Sequence, residues 1–93
     1  MNFSWNSQKA KLNKRKHGIT FEEAQWVFRD ENALMIADPE HSDSEERFVM
    51  IGLGEKLNML VVCFCERHKG SEIRIISARK ANKHEETQYM ERL

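Results

Sequence analysis

Apolar positions are sparse and spaced for helices in the first third of the chain, then dense and alternating as in a sheet. Phe3 and Trp5 alternate with polar residues, which predicts a short first strand. Asn6 or Ser7 then caps a helix running to Arg15, whose narrow packing side is Ala10 and Leu12. Lys16-His17-Gly18 ends that helix, with glycine suited to a left-handed C-cap and cations complementing the helix dipole. Thr20 with Glu23 three residues later forms a capping box for a second helix. Phe21, Ala24, Val27 and Phe28 recur at helical spacing and face the core, with Trp26 at its edge.

Beyond these helices the period changes. Residues 33–37 form a short apolar strand ended by the turn signal Asp38-Pro39, and residues 40–46 form an exposed acidic loop. From Arg47, alternating residues to Leu53, a turn at Gly54-Glu55-Lys56 and the apolar run from Met59 to Cys65 read as two strands. The second is apolar on both faces, so it belongs in the middle of a sheet. A turn at Arg67-His68-Lys69-Gly70-Ser71 leads to a strand over 72–77. Ser77 is then the N-cap of a last helix over about 78–92, with Ala81, Tyr89 and Leu93 as an approximate stripe. The expected fold is α+β, a single domain over 1–93 with two N-terminal helices, an antiparallel sheet of about four strands and a C-terminal helix.

A length of 93 residues suits one modest core. No apolar run reaches membrane-span length and the N-terminus has no secretory pattern, so a cytoplasmic location is expected. Cys63 and Cys65 share one strand face, a poor disulfide geometry, and are read as buried thiols. No Cys or His pair has metal-ligand spacing, and the acidic loop lacks the EF-hand pattern, so neither a metal nor a cofactor is expected.

Zero net charge argues against nucleic-acid binding by bulk charge, yet the charge is unevenly distributed. Lys9, Lys11, Lys14, Arg15 and Lys16 precede the first acid, acids crowd 38–46, and Arg67, Lys69, Arg74, Arg79, Lys80 and Lys83 dominate the stretch from residue 67 onward. The run Ile73-Arg74-Ile75-Ile76-Ser77-Ala78-Arg79-Lys80-Ala81 places cations beside core aliphatics. Two readings account for it: arginines engaging phosphate oxygens in pairs, or an ion-pair network in which Glu85 holds Arg79 or Lys80. Exposed pairs contribute under about 1 kcal/mol each, so stability alone explains such a concentration poorly. His17 reads as a capping or packing residue, with a catalytic role as the sharper alternative.

Trp5-Asn6, Lys9, Asn13, Lys16-His17-Gly18, Phe21, Glu46-Arg47, Gly52, Glu66-Arg67, the run over 73–81, Glu85 and Tyr89 together resemble the BrnT family over nearly the whole chain. The resemblance implies a RelE-like ribonuclease fold and the toxin of a type II toxin-antitoxin system, a metal-independent endoribonuclease that cleaves RNA through 2′-OH attack and arrests translation. It implies as partners the RNA substrate and a BrnA-like ribbon-helix-helix antitoxin in a hetero-oligomer that reaches operator DNA only through the antitoxin. Cleavage of that kind requires removal of the 2′-OH proton, stabilisation of charge on the phosphate and protonation of the leaving oxygen. The catalytic candidates are Arg74, Arg79 and Arg67 for charge and His17, Glu66 or Tyr89 for proton transfer; Lys80, Lys83, Lys16 and Lys69 are the RNA-binding candidates. A non-catalytic corepressor acting beside a DNA-binding partner is the competing reading, and a metal-dependent nuclease a weaker third.

Overall fold

Residues 1–37 and 47–93 are described by the computed structural model; the expected turn at Asp38-Pro39 and the acidic loop over 40–46 lie outside the described residues. The elements in chain order are β1 (Asn2–Ser4), α1 (Ser7–His17), α2 (Phe21–Ala24) continued by a 3-10 turn (Gln25–Arg29), β2 (Leu34–Ala37), β3 (Arg47–Leu53), β4 (Met59–Arg67), β5 (Glu72–Lys80) and α3 (Lys83–Met90).

The α+β class stands, with one strand more than expected. Five strands are ordered β1-β5-β4-β3-β2, antiparallel except that β1 lies parallel to β5. The mixed character follows from connectivity: α1, α2, β2, β3 and β4 all intervene between β1 and β5, so their pairing is not constrained by a hairpin. β4 is central, as its two-sided apolar pattern requires.

The caps follow the sequence closely. Asn6 Oδ1 accepts from the Gln8 and Lys9 amides at 2.9 and 3.0 Å, and Gly18 closes α1 at φ 74°. Thr20 and Glu23 form the expected capping box. The packing side of α1 differs, however. Leu12 is 60% exposed, and the buried residue is Asn13. Its side-chain amide donates to the Ala78 carbonyl at 2.8 Å and to the Ile19 carbonyl at 3.0 Å, while its oxygen accepts from the Ala78 amide at 3.1 Å. β1 pairs only with residues 72–74 of β5. Asn13 thus satisfies edge backbone groups beyond the reach of β1.

That contact also corrects the end of β5. The strand does not yield to a helix at Ser77 but pairs with β4 as far as Lys80, opposite Leu60. Nine-residue β4 offers partners along the whole length, and Asn13 holds Ala78 from the other side. The helix waits for Asn82, which forms a capping box with Glu85. Between Phe64↔Ile75 and Cys63↔Ser77 the register slips, leaving Ile76 as the extra residue of a bulge.

The sheet has two unequally covered faces. On one, Leu60, Val62, Phe64, Ile73, Ile75 and Ala78 pack against Ile19, Phe21, Ala24 and Val27. Phe28 joins Phe64 edge-on at 4.9 Å, and Trp5 joins Phe21 at 5.9 Å. On the other, Tyr89 of α3 covers Ile51 and Val61, with Leu34, Leu53 and Met59 around them. Gly52 is needed where the 3-10 turn meets β3: an added Cβ would lie 3.0 Å from Val27 Cγ1 and 3.1 Å from Ala33 Cβ. Among the described residues no helix is long and apolar enough to cross a membrane.

Candidate functional site

Successive strand residues point to opposite faces, so β4 sends Leu60, Val62 and Phe64 into the larger core and Val61, Cys63 and Cys65 to the face that carries α3. Because α3 has only eight residues, it spans part of that face. Alongside it lies a groove of two recesses. The first, about 180 Å³, is lined by Asn6, Lys9, Arg47, Cys65, Arg67, Arg74, Ile75 and Ile76. The second, about 330 Å³, is lined by Arg47, Val49, Val61, Cys63, Ile76, Ser77 and Arg79. Arg47 and Ile76 belong to both, and among the described residues no Asp or Glu lines either recess.

Strand pairing explains the convergence. Arg47 of β3 lies opposite Cys65 of β4, which in turn lies opposite Arg74 of β5. Arg67 follows two residues along β4 on the same face. Arg79 lies opposite Val61, beyond the bulge. Without the extra residue Ile76, Arg74 and Arg79, five positions apart, would alternate to opposite faces; the bulge returns both to the groove.

The arginines differ in how they are held. The Arg79 guanidinium engages Glu85 with two parallel bonds of 2.8 and 2.7 Å. The hydrogen bond to Glu85, with its charge, raises the Arg79 pKa against the opposing effect of burial. The hydrogen bond from Arg79 in turn lowers that of Glu85, helped by the Asn82 amide. Arg74 Nη1 lies 3.4 Å from Ser4 Oγ, whose hydroxyl donates to Glu72 at 2.6 Å.

A third recess, about 210 Å³, opens between α1 and β5 and is lined by Lys9, Leu12, Asn13, Lys16, His17, Ile76 and Ser77. It shares Lys9 with the first recess and Ile76 and Ser77 with the second. The bulge residue is therefore the common wall of all three. A wider cavity, about 410 Å³, lies between α1 and α2 and is lined by Ala10, Lys11, Lys14, Thr20, Phe21 and Glu22; no arginine reaches it.

Of the sequence candidates, Arg67, Arg74 and Arg79 line the groove, and His17 and Lys16 line the third recess. Lys80, Lys83 and Lys69 are exposed and line none of the three, Lys69 sitting in the β4–β5 turn at φ 56°. Glu66 is exposed on β4 and alternates to the face opposite Cys65 and Arg67. Tyr89 is 3% exposed, and its hydroxyl donates to Asp30 Oδ2 at 2.7 Å. Burial, together with the bond and charge of Asp30, pushes its pKa up to about 12. Tyr89 is thus a core residue of the α3 interface, outside the groove.

Two residues escaped the reading of isolated stretches. Arg47, at the start of β3, reaches the groove only through cross-strand pairing. Asp30 joins three elements: it accepts from the Leu53 amide at 2.9 Å, the Asn32 amide at 2.9 Å and Tyr89. Burial opposes its ionisation, but the bonds from Leu53, Tyr89 and Asn32 outweigh this and lower its pKa. The thiols of Cys63 and Cys65 lie on the groove side of β4, Cys65 buried and Cys63 half-buried. Among the described residues, no three His, Cys, Asp or Glu side chains group to hold a metal ion.

The profile of the family described as "Ribonuclease toxin, BrnT, of type II toxin-antitoxin system" matches residues 5–85. The chain belongs to the BrnT toxin family. The matched span reaches from Trp5 to Glu85, so it takes in α1, the whole sheet beyond β1 and the start of α3. In fold, the chain is similar to the Brucella abortus ribonuclease toxin, BrnT, known from a 1.1 Å crystal structure. The two share 22% identity at a TM-score of 0.64, with 89% of this chain and 99% of that one covered. A search of curated proteins found no match to the sequence. BrnT membership makes this a ribonuclease toxin of a type II toxin-antitoxin system at the level of the family.

Proposed function

We propose that the groove beside α3 binds the RNA backbone and that the chain cleaves RNA there without a metal ion, by attack of a ribose 2′-OH on the neighbouring phosphate. The observation that carries this reading is the gathering of Arg47, Arg67, Arg74 and Arg79 on one sheet face, in two adjoining recesses. Arginine presents paired N–H donors that match phosphate oxygens, and its charge is retained at any working pH.

Each step has a candidate. Arg74 and Arg67 stabilise the charge that develops on the phosphate in the first recess, and Arg79, its two Nη atoms already paired with Glu85, offers only its remaining N–H groups in the second. Positioned donors of this kind act most strongly where charge grows in the transition state. His17 lies at the adjoining recess and is the proposed proton carrier, because an imidazole exchanges protons near neutral pH. Glu66 and Tyr89 are left out: one points from the opposite face and the other is held by Asp30. Lys9 and Lys16 add charge at the margins, while Lys80, Lys83 and Lys69 form an outer field that draws RNA in. The 2′-OH requirement makes RNA the substrate and DNA inert.

The partner in this reading is an antitoxin of the ribbon-helix-helix type, through which the complex contacts operator DNA; the setting is the cytoplasm, where translation is arrested. The test is cleavage of RNA by purified protein in EDTA. Wild type should cut and yield 2′,3′-cyclic phosphate ends, and Arg74→Ala should cut at least about 100-fold more slowly, the scale of losing one transition-state donor. Intact RNA at high protein concentration, or equal cutting by the variant, would overturn the proposal. Growth arrest on expression without the antitoxin separates this reading from a corepressor, which leaves growth unchanged.

A further inference from the structure

The third recess differs in chemistry from the two that carry the arginines. Its lining includes two aliphatic residues, Leu12 and Ile76, together with His17, Ser77, Lys9 and Lys16. Asn13 also lines it, but its amide is committed to the Ala78 and Ile19 backbone. Leu12 is 60% exposed on a helix that otherwise presents cations, so its apolar surface faces solvent at this recess. Aliphatic side chains, an imidazole and two lysines together suit a planar heteroaromatic ring carried on an anionic chain.

Position supports the same occupant. Ile76 borders all three recesses, and Arg47 is common to the two arginine recesses. A strand whose successive phosphates occupy those two recesses passes Ile76 and Ser77 with the nucleoside between them. The third recess opens at that point. We propose that it receives the nucleobase of this bridging nucleotide, turned out of the strand, so that the site takes single-stranded RNA and the recess imposes base preference at the cut. Turned into the recess, the base brings its own ribose toward His17, which also lines it. A base paired in a duplex cannot turn out without losing its partner, which excludes an intact helix from the site. This inference rests on the reading of the groove as the RNA backbone site.

Binding of a 2′-deoxy trinucleotide with phosphates at both ends tests it, since the strand cannot be cleaved. Its affinity is compared, by fluorescence anisotropy of an end-labelled strand, with that of the same strand lacking the central base. Because base–side-chain stacking adds to affinity, wild type should prefer the complete strand by roughly tenfold. Leu12→Ser, on an exposed helix position, should shrink that preference at least about threefold by removing an apolar contact. Equal affinity of the two strands for wild type overturns the base recess and leaves the backbone groove standing. An undiminished preference in Leu12→Ser also overturns it, because the base then lies elsewhere. If neither strand binds, the groove reading falls and this inference with it.

Discussion

Asp30 shows how one carboxylate organises a region without touching the groove. It binds the backbone of β3 and the only tyrosine of the chain, and so ties the 3-10 turn, the sheet and α3 together. Replacing it with alanine leaves the Leu53 amide and the Tyr89 hydroxyl without their acceptor, and should cost about 3 kcal/mol in urea unfolding. Asp30→Asn keeps the shape and removes the charge. Because Tyr89 is the single tyrosine, phenolate absorbance reads it alone; burial keeps its midpoint raised, but the midpoint should fall below about 12 in the Asp30→Asn variant as the carboxylate's charge is lost. A midpoint unchanged by the substitution would show that Asp30 does not hold the phenol proton.

The pH dependence follows from the same residues. Asp30 and Glu85 both have folded pKa values below their ordinary ones of 3.8 and 4.5. The unfolded chain therefore binds more protons as acid is added, and the stability these groups contribute is present above the ordinary values and lost as pH falls through the folded ones. The midpoint temperature of thermal unfolding should accordingly fall as the pH drops below about 4.5, less steeply for Glu85→Gln than for wild type. The Arg79–Glu85 pair itself adds only about 1 kcal/mol or less at its partly exposed position. Residue identity alone suggested Arg74 and Arg79 as partners for phosphate and Glu85 as a partner for Arg79; the geometry places the first two in the groove and makes the second pairing bidentate. Which acid would claim Tyr89 was not legible, because Asp30 lies 59 positions away in sequence.

Among elements, β5 carries the greatest departure from sequence expectation. Ser77-Ala78 has the chemistry of a helix start, yet the ladder with β4 and the grip of Asn13 on Ala78 keep the chain extended to Lys80. Local capping offers about 1 kcal/mol, which several cross-strand bonds and buried contacts outweigh. The true cap, Asn82, lies five residues later and has at its third following position the carboxylate of Glu85, where Ser77 has Lys80. Asn13→Leu should expose this balance. It fills space but leaves the Ala78 amide and carbonyl unsatisfied, so amide exchange at Ala78 should accelerate and stability should fall by about 2 kcal/mol. Unchanged exchange at Ala78 would mean that the side chain is not what holds this edge.

At the scale of the molecule, one sheet face is buried under α1 and α2, and the other is shared between α3 and the arginine groove. Such a groove is also the natural target of an inhibitor, since opposite charge steers association and a covering chain excludes the substrate. An antitoxin should therefore abolish RNA cleavage and protect the groove; Arg47 and Arg74 should become inaccessible to an arginine-selective reagent in the complex. A complex that still cuts RNA at the rate of the isolated toxin would contradict this.

The caps of α1, the capping box at Thr20, the central position of β4 and the concentration of cations around β5 were decided by the sequence, because each depends on neighbours within a few residues or on a simple apolar period. The parallel pairing of β1, the continuation of β5, the bulge at Ile76 and the meeting of Arg47 with Arg74 and Arg79 were decided only by tertiary structure. Each of these depends on which strand supplies the opposing backbone, and that choice is made by burial of the whole sheet rather than by any local segment.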